Sequence, residues 1–244
     1  MNVAGKVVLI SGGGTGIGAA CARSFAEAGA QVVVTGRRRE LIDSVAAEVG
    51  GLALVADAAR ATDMRGVIDL VTSRFGGLDV LIANAGGHGL GAALETDDRS
   101  WNQACEANLG TAFVSARESL PSLVRRRGSI IIVSSIGGLK GTSALGAYAI
   151  SKAADMQLAR NLAVEWGKQN IRINCIAPGL VKTDFARALW ENPKVLTHYE
   201  SLTPLGRIGE PDDIGGIAVF LASRAGAFVT GQTIVADGGV TIAS

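Results

Sequence analysis

The chain has 244 residues, of which 48% are hydrophobic and 18% charged, with a formal net charge of +1. So much apolar material excludes a disordered chain, and so small a net charge gives no broad field for nucleic acid or an anionic lipid surface, so neither partner is expected. The length is above the usual range of about 100–200 residues per domain, but α/β folds reach it around one core, so a single domain over residues 1–244 is expected.

Met1 is followed within a few residues by a strand-like run, so no charged, cleavable leader is expected. The first strand is expected at 7–10, running directly into Ser11-Gly12-Gly13-Gly14-Thr15-Gly16-Ile17-Gly18 and a helix over 17–27. Runs rich in Val, Ile and Leu then recur at 31–35, 52–56, 80–83, 129–133, 172–176 and 233–235, without polar alternation, as suits strands buried on both faces. Amphipathic segments at 39–49, 63–74, 99–124, 147–166 and 212–222 separate them. Strand and helix alternate, which predicts right-handed βαβ units in a doubly wound parallel α/β sheet with ligands beyond the carboxyl ends of its strands.

Within this order, Pro121 is expected to kink the helix over 99–124, because it lacks an N–H and its ring clashes with the preceding turn. Arg125, Arg126 and Arg127 before Gly128 mark that helix's end, where cations complement the dipole. Residues 179–209 break the alternation and carry Phe185, Leu189, Trp190, His198 and Tyr199, so they are expected to form an insertion, either a substrate lid, the favoured reading, or simply a packed excursion. The apolar runs, such as 217–222, fall far short of the roughly 20 residues of a membrane helix. Cys21, Cys105 and Cys175 are odd in number and lack metal-ligand spacing, so reduced thiols, a cytoplasmic location and no metal are expected.

The chemistry concentrates on Tyr148 and Lys152, one helical turn apart, with Ser135 thirteen residues before the tyrosine. On one helix face such side chains lie about 5–6 Å apart at Cβ. An ammonium beside a phenol favours phenolate and fits it for proton transfer near neutrality, while a serine hydroxyl can hold a substrate oxygen against it. Alone, the same spacing also describes a half-buried aromatic beside a solvated lysine.

The glycine-rich loop supplies the context. It follows a strand and opens a helix, so backbone amides and the helix N-terminus can face a pyrophosphate. Its glycines read Gly12-x-x-x-Gly16-x-Gly18, wider than the common Gly-x-Gly-x-x-Gly. Where an NAD site usually has an acidic residue, this chain has Gly36 followed by Arg37, Arg38 and Arg39, whose guanidinium groups suit a 2′-phosphate. NADP(H) is therefore the expected cofactor, with NAD(H) as the alternative, since Thr15 offers no second cation.

On these motifs, with Asn84-Ala85-Gly86, Asn108, Pro178-Gly179 with Thr183, Gly231-Gln232 and Asp237-Gly238-Gly239, essentially the whole chain resembles the one-domain branch of the short-chain dehydrogenase/reductase family. The resemblance implies a Rossmann-type sheet of about seven strands with helices on both faces. It implies an oxidoreductase in which Tyr148 is the acid in reduction and the base in oxidation. Lys152 would tune the phenol and hold the ribose, Ser135 would orient the substrate oxygen, and Asn108 would support a water linked to Lys152. Gly12, Thr15, Gly16, Ile17 and Gly18 would form the phosphate turn, Arg37 and Arg38 would select the 2′-phosphate, and Asp57 and Ala58 would meet the adenine. Asn84, Ala85 and Gly86 would line the ribose, and Pro178, Gly179, Val181 and Thr183 the nicotinamide, Thr183 being equally suited to cap a helix.

The substrate would lie among residues 87–90, 136–140, Leu145 and 179–199, with Ile136, Leu145, Phe185, Leu189 and Trp190 as named contacts and His88 as a polar one. Those positions are largely apolar, so a small apolar or cyclic ketone or aldehyde, or the matching alcohol, is expected. The resemblance also implies a homotetramer formed through the helices at 99–124 and 147–166, where Ala147, Ala149, Ala153, Ala154 and Ala159 allow close packing. Two positions depart from the family pattern: Ser11 replaces a threonine, and Ala83 an asparagine. The adjacent Tyr-x-x-x-Lys separates the chain from enoyl reductases, which space the pair more widely. Two alternatives remain: an NAD-dependent alcohol dehydrogenase of the same family, and a non-catalytic NADP(H)-binding regulator.

Overall fold

The computed structural model describes residues 2–89 and 91–243; Leu90 of the expected pocket wall lies outside the described residues. One sheet holds β1 (Val7–Ser11), β2 (Gln31–Gly36), β3 (Leu52–Val55), β4 (Val80–Ala83), β5 (Ser129–Val133), β6 (Arg172–Pro178) and β7 (Thr233–Ala236). All neighbours pair in parallel, in the order β3-β2-β1-β4-β5-β6-β7. The order reverses between β1 and β4, which opens a crevice above their carboxyl ends.

Successive side chains of the central strands enter two separate cores. Val7, Leu9, Ile130 and Ile132 pack on one face, and Val8, Ile10, Ile131 and Val133 on the other. Each strand buried in this way must be apolar throughout, and this is why its sequence lacks alternation. The two edge strands differ: β3 and β7 are half-buried, with Val55 46% and Val235 39% exposed, so burial on both faces holds only for the inner strands.

The helices are α1 (Gly16–Glu27), α2 (Arg39–Val49), α3 (Ala61–Phe75), α4 (Asp98–Cys105), α5 (Thr111–Arg126), α6 (Gly146–Trp166), α7 (Arg187–Trp190), α8 (Pro193–Leu202) and α9 (Asp212–Ala222). The helix expected over 99–124 is divided. Between α4 and α5 lies a π-helical turn, Glu106–Gly110, while α5 runs through Pro121 to Arg126 without interruption. The disturbance therefore falls at Asn108 instead of at the proline. The side chain there competes with the helix ladder: Asn108 Nδ2 donates to Ala104 O at 2.9 Å, while Oδ1 accepts from the Gly87 amide at 3.1 Å. At the far end of α5, Arg127 adopts a left-handed conformation and stops the helix.

Residues 179–209 leave the sheet after β6 and return before α9. A bridge between Val181 and Gly209 closes their base. Within them, Asn192 caps α8 by accepting from the Lys194 amide at 3.1 Å, with Pro193 in the first turn.

Candidate active site

The loop between β1 and α1 is built by close approach. Gly12 and Gly16 have φ of +65° and +52°, a region that side chains rarely enter. A Cβ on Gly18 would lie 2.2 Å from Gly12 O, so the helix could not start so close to the strand with any larger residue. Thr15 precedes α1 in an extended conformation and its side chain caps nothing, nor does the first turn hold an acidic residue. The helix thus presents unpaired amides and the positive end of its dipole to the crevice, the local environment that takes an anion.

Ser11 and Asn84 brace this loop against β4. Ser11 Oγ accepts from the Asn84 and Ala85 amides, both at 3.2 Å. Asn84 Nδ2 donates to Ser11 O at 3.3 Å and to Gly12 O at 3.0 Å. The hydroxyl at Ser11 is therefore used, and Asn84 acts through the backbone of the loop.

On the other side of the crevice, α6 carries Tyr148 and Lys152. Lys152 Nζ lies 5.9 Å from the centroid of the Tyr148 ring. It donates to Val133 O at 2.9 Å and to Asp155 Oδ2 at 3.1 Å, with the lysine only 5% exposed. Asn108 reaches the same place: a Cβ on Gly86 would lie 3.0 Å from Asn108 Oδ1 and 3.8 Å from Lys152 Nζ. The Asn108 carbonyl accepts from Thr111 Oγ1 at 2.7 Å. Ser135 joins from the end of β5. A Cβ on Gly137 would lie 3.4 Å from Ser135 Oγ and 3.8 Å from both Tyr148 Cε1 and Leu145 Cδ1, so these side chains converge on one point. Ser135 Oγ itself accepts from the Gly137 amide at 3.0 Å.

A cleft of about 840 Å³ joins the two sides. Its walls include Gly12, Thr15, Gly16 and Ile17 of the loop, Arg37 and Arg38 after β2, Asp57 and Ala58 after β3, and Asn84, Ala85 and Gly86 after β4, together with Asn108, Tyr148, Lys152, Thr183 and Phe185. Gly18, Ser135, Ile136, Leu145, Pro178, Gly179, Val181, Leu189 and Trp190 do not line it. Gly18 and Val181 shape the backbone behind it, Val181 through its bridge to Gly209. Trp190 is turned back: its Nε1 donates to Thr183 O at 2.8 Å, and Lys182 lies over its ring. Leu189 is 38% exposed. Lys140, at the end of the wall expected over 136–140, reaches away to donate to Val240 O at 3.0 Å.

Thr183 caps the short turn Asp184–Ala186, and it also meets the glycine-rich loop, for a Cβ on Gly16 would lie 3.0 Å from Thr183 Cγ2. Phe185 stacks on His88 at 3.9 Å and lies 6.0 Å from Tyr148. Three further side chains escaped the sequence argument. Ser134 Oγ donates to Lys152 O at 2.7 Å, Thr111 Oγ1 is 2.8 Å from Ala85 O, and Asp155 pairs with Lys152. The helical offset of three residues between Lys152 and Asp155 was the available signal for the last.

A crossover crevice with an uncapped helix start on one wall and a Tyr–Lys pair on the other suits an α/β dinucleotide-dependent oxidoreductase. Comparison with known proteins agrees: a family model described as enoyl-(acyl carrier protein) reductase matches residues 12–241. The chain is 35% identical over 241 residues to dehydrogenase/reductase SDR family member 4 of Bos taurus, covering 96% of this chain and 86% of that protein. It is 34% identical over 242 residues to the mitochondrial dehydrogenase/reductase SDR family member 2 of Homo sapiens, covering 97% and 86%. Among solved structures, a short-chain type dehydrogenase/reductase from Mycobacterium marinum superposes with a TM-score of 0.92 at 33% identity, covering 99% of this chain and 97% of that one. One from Mycobacterium ulcerans gives 0.95 at 31% identity, covering 100% and 92%. The chain belongs to the short-chain dehydrogenase/reductase family, and so is an oxidoreductase that acts on small molecules with a nicotinamide cofactor. Among the described residues, no helix is long and apolar enough to cross a membrane.

Proposed function

We propose that this chain interconverts a ketone or aldehyde and its alcohol with NADP(H), on a small and largely apolar or cyclic substrate. The observation that carries this reading is the Tyr148–Lys152 pair on the wall of the same cleft that receives the uncapped start of α1. The cleft fits the cofactor: amides of the phosphate loop would hold the pyrophosphate, Arg37 and Arg38 the 2′-phosphate, Asp57 and Ala58 the adenine, and Lys152 the ribose. When bound, the nicotinamide supplies or accepts the hydride. Tyr148 gives the carbonyl oxygen its proton in reduction and takes it back in oxidation, Ser135 orients that oxygen, and Asn108 supports a water leading from Lys152. Residues 179–209 close over the substrate, with Phe185 placed by its stack on His88.

Tyr148→Phe tests the reading, because it removes the acid and keeps the ring. Its turnover should fall by about 10²–10⁴-fold, with cofactor affinity nearly unchanged; near-normal turnover would refute the mechanism. For cofactor choice, Arg37→Ala should weaken NADPH binding about tenfold or more, as loss of a charge-assisted bond does, and leave NADH binding as it was. Equal or tighter binding of NADH by the unaltered protein would assign it as NAD-dependent. The description of the matching family model favours a second reading, reduction of an enoyl double bond. The one-turn Tyr–Lys spacing supports carbonyl chemistry, and an assay panel holding both substrate types separates the two.

The same reading treats residues 1–244 as one unit that assembles as a homotetramer. Phe113 on α5 and Ile150 and Val164 on α6 are 44%, 46% and 83% exposed, an outward apolar face that a second copy would cover. Light scattering measures it.

A further inference from the structure

Lys152 and Asp155 are the two charged residues in the buried set of the described residues. Asp155 is 0% exposed. Its Oδ2 accepts from Lys152 Nζ at 3.1 Å, while Oδ1 has no hydrogen-bond partner among the described residues. Burial raises the carboxyl's pKa and the lysine opposes that rise. A half-satisfied carboxylate in a core is costly. Its neighbour Met156 packs into the core between α6 and the sheet, where an apolar side chain serves. What sets position 155 apart is its contact with an ammonium that faces the reaction cleft.

We propose that Asp155 is a positioning residue for the proton-transfer pair: it anchors the Lys152 ammonium against the end of β5 and cancels part of the field that this cation exerts on the Tyr148 phenol. The proposal rests on the role of Tyr148 proposed above. The three donors of the ammonium divide accordingly, one to Val133 O and one to Asp155, which leaves a third for the cleft. Asp155 thus restricts both the direction of the lysine and the net charge near the phenol.

Among the described residues, no other charged group competes closely for this pair. From β6, the Cys175 thiol donates to Asp155 O at 3.5 Å and is pushed up to about 12 by burial and by the Asp155 charge, so it stays neutral. Arg172 of the same strand is turned to the carbonyls of Leu221 and Gly226. Glu95, Asp98, Arg99, Glu106 and Lys168, on the other elements packed against α6, are exposed, as is His88; Cys105 is half-buried. Arg160, further along α6, is exposed and bonded to Gln157.

Asp155→Asn is the informative change, because the amide oxygen still accepts from Nζ and only the charge is lost. With less opposing charge the phenolate is favoured. The alkaline limb of kcat/KM for carbonyl reduction should then move to lower pH by about half to one unit. NADP(H) affinity, read by fluorescence titration, should stay within about threefold. Asp155→Glu restores the charge and should return the limb toward its original position. A limb in folded Asp155→Asn that moves by less than about 0.2 unit, or moves upward, overturns the proposal.

If the asparagine variant does not fold, infrared spectroscopy of the unaltered protein labelled with ¹³C-aspartate decides the matter. An ionised buried carboxylate at neutral pH supports the proposal, and a persistent protonated-acid band overturns it, since a neutral acid screens nothing. Failure here is separable from failure of the parent reading. Retained turnover in Tyr148→Phe removes both, whereas an inactive Tyr148→Phe beside an unmoved limb in Asp155→Asn removes this inference alone.

Discussion

Asn84 has its side chain committed to carbonyls of the glycine-rich loop, so in the cofactor binding proposed above its part would be indirect. Asn84→Ala should lower thermal stability by about 1–2 kcal/mol for the lost bonds and weaken cofactor binding in parallel, both readable in one denaturation series with and without NADPH. Gly18→Ala is harsher. The added methyl would meet Gly12 O at 2.2 Å, so the start of α1 must withdraw from the strand. An overpacked site of this kind costs about 1–3 kcal/mol, and calorimetric titration should show at least about tenfold weaker NADPH binding. Residues of this sort were legible in the sequence because local rules fix them: a strand, a tight turn and a helix start follow one another in the chain. Asp155 was not. Its meaning depends on which face of α6 meets β5 and β6, and that face is set by contacts with residues about twenty positions away.

At the scale of elements, all seven strands were readable as short apolar runs, the inner five because a strand buried on both faces must be apolar along its length. What the apolar pattern could not show was how much the two edges remain exposed. Nor could helical periodicity show the break between α4 and α5, because Pro121 is the obvious breaker and Asn108 the actual one. The asparagine acts through the Gly87 amide, a partner supplied by a loop whose path is known only from the fold. Asn108→Ala should free that amide, speed its hydrogen exchange and lower turnover, while α5 itself stays protected. Equal loss of protection throughout α5 would show that the π turn is merely a weak point of the helix. The helices α7 and α8 were likewise hidden in a segment whose mixed pattern announced an excursion and not its contents.

At the scale of the molecule, the two parallel cores enclose Cys21 and Cys175, whose thiols burial pushes up from an ordinary 9.0 to about 12. A thiol held protonated by the fold favours the folded state below the unfolded value and loses that effect as pH rises toward the folded one. Stability should therefore decline between about pH 9 and pH 12, read by thermal melts. Both thiols should also stay silent to a disulfide reagent at mild pH until denaturant is added.

The stretch from Thr183 to Trp190 is fastened on both sides of the crevice: Thr183 abuts Gly16, Phe185 stacks on His88, and Trp190 ties the turn back to Thr183. One short piece of chain thus touches both the glycine-rich loop and the loop after β4, and on the proposed function this predicts an order in the catalytic cycle. Under the function proposed above, the nucleotide would arrive before the stretch settles and leave only after it lifts, which predicts that the carbonyl compound is second in and the alcohol first out. In product-inhibition kinetics, NADP⁺ should compete with NADPH and not with the carbonyl substrate.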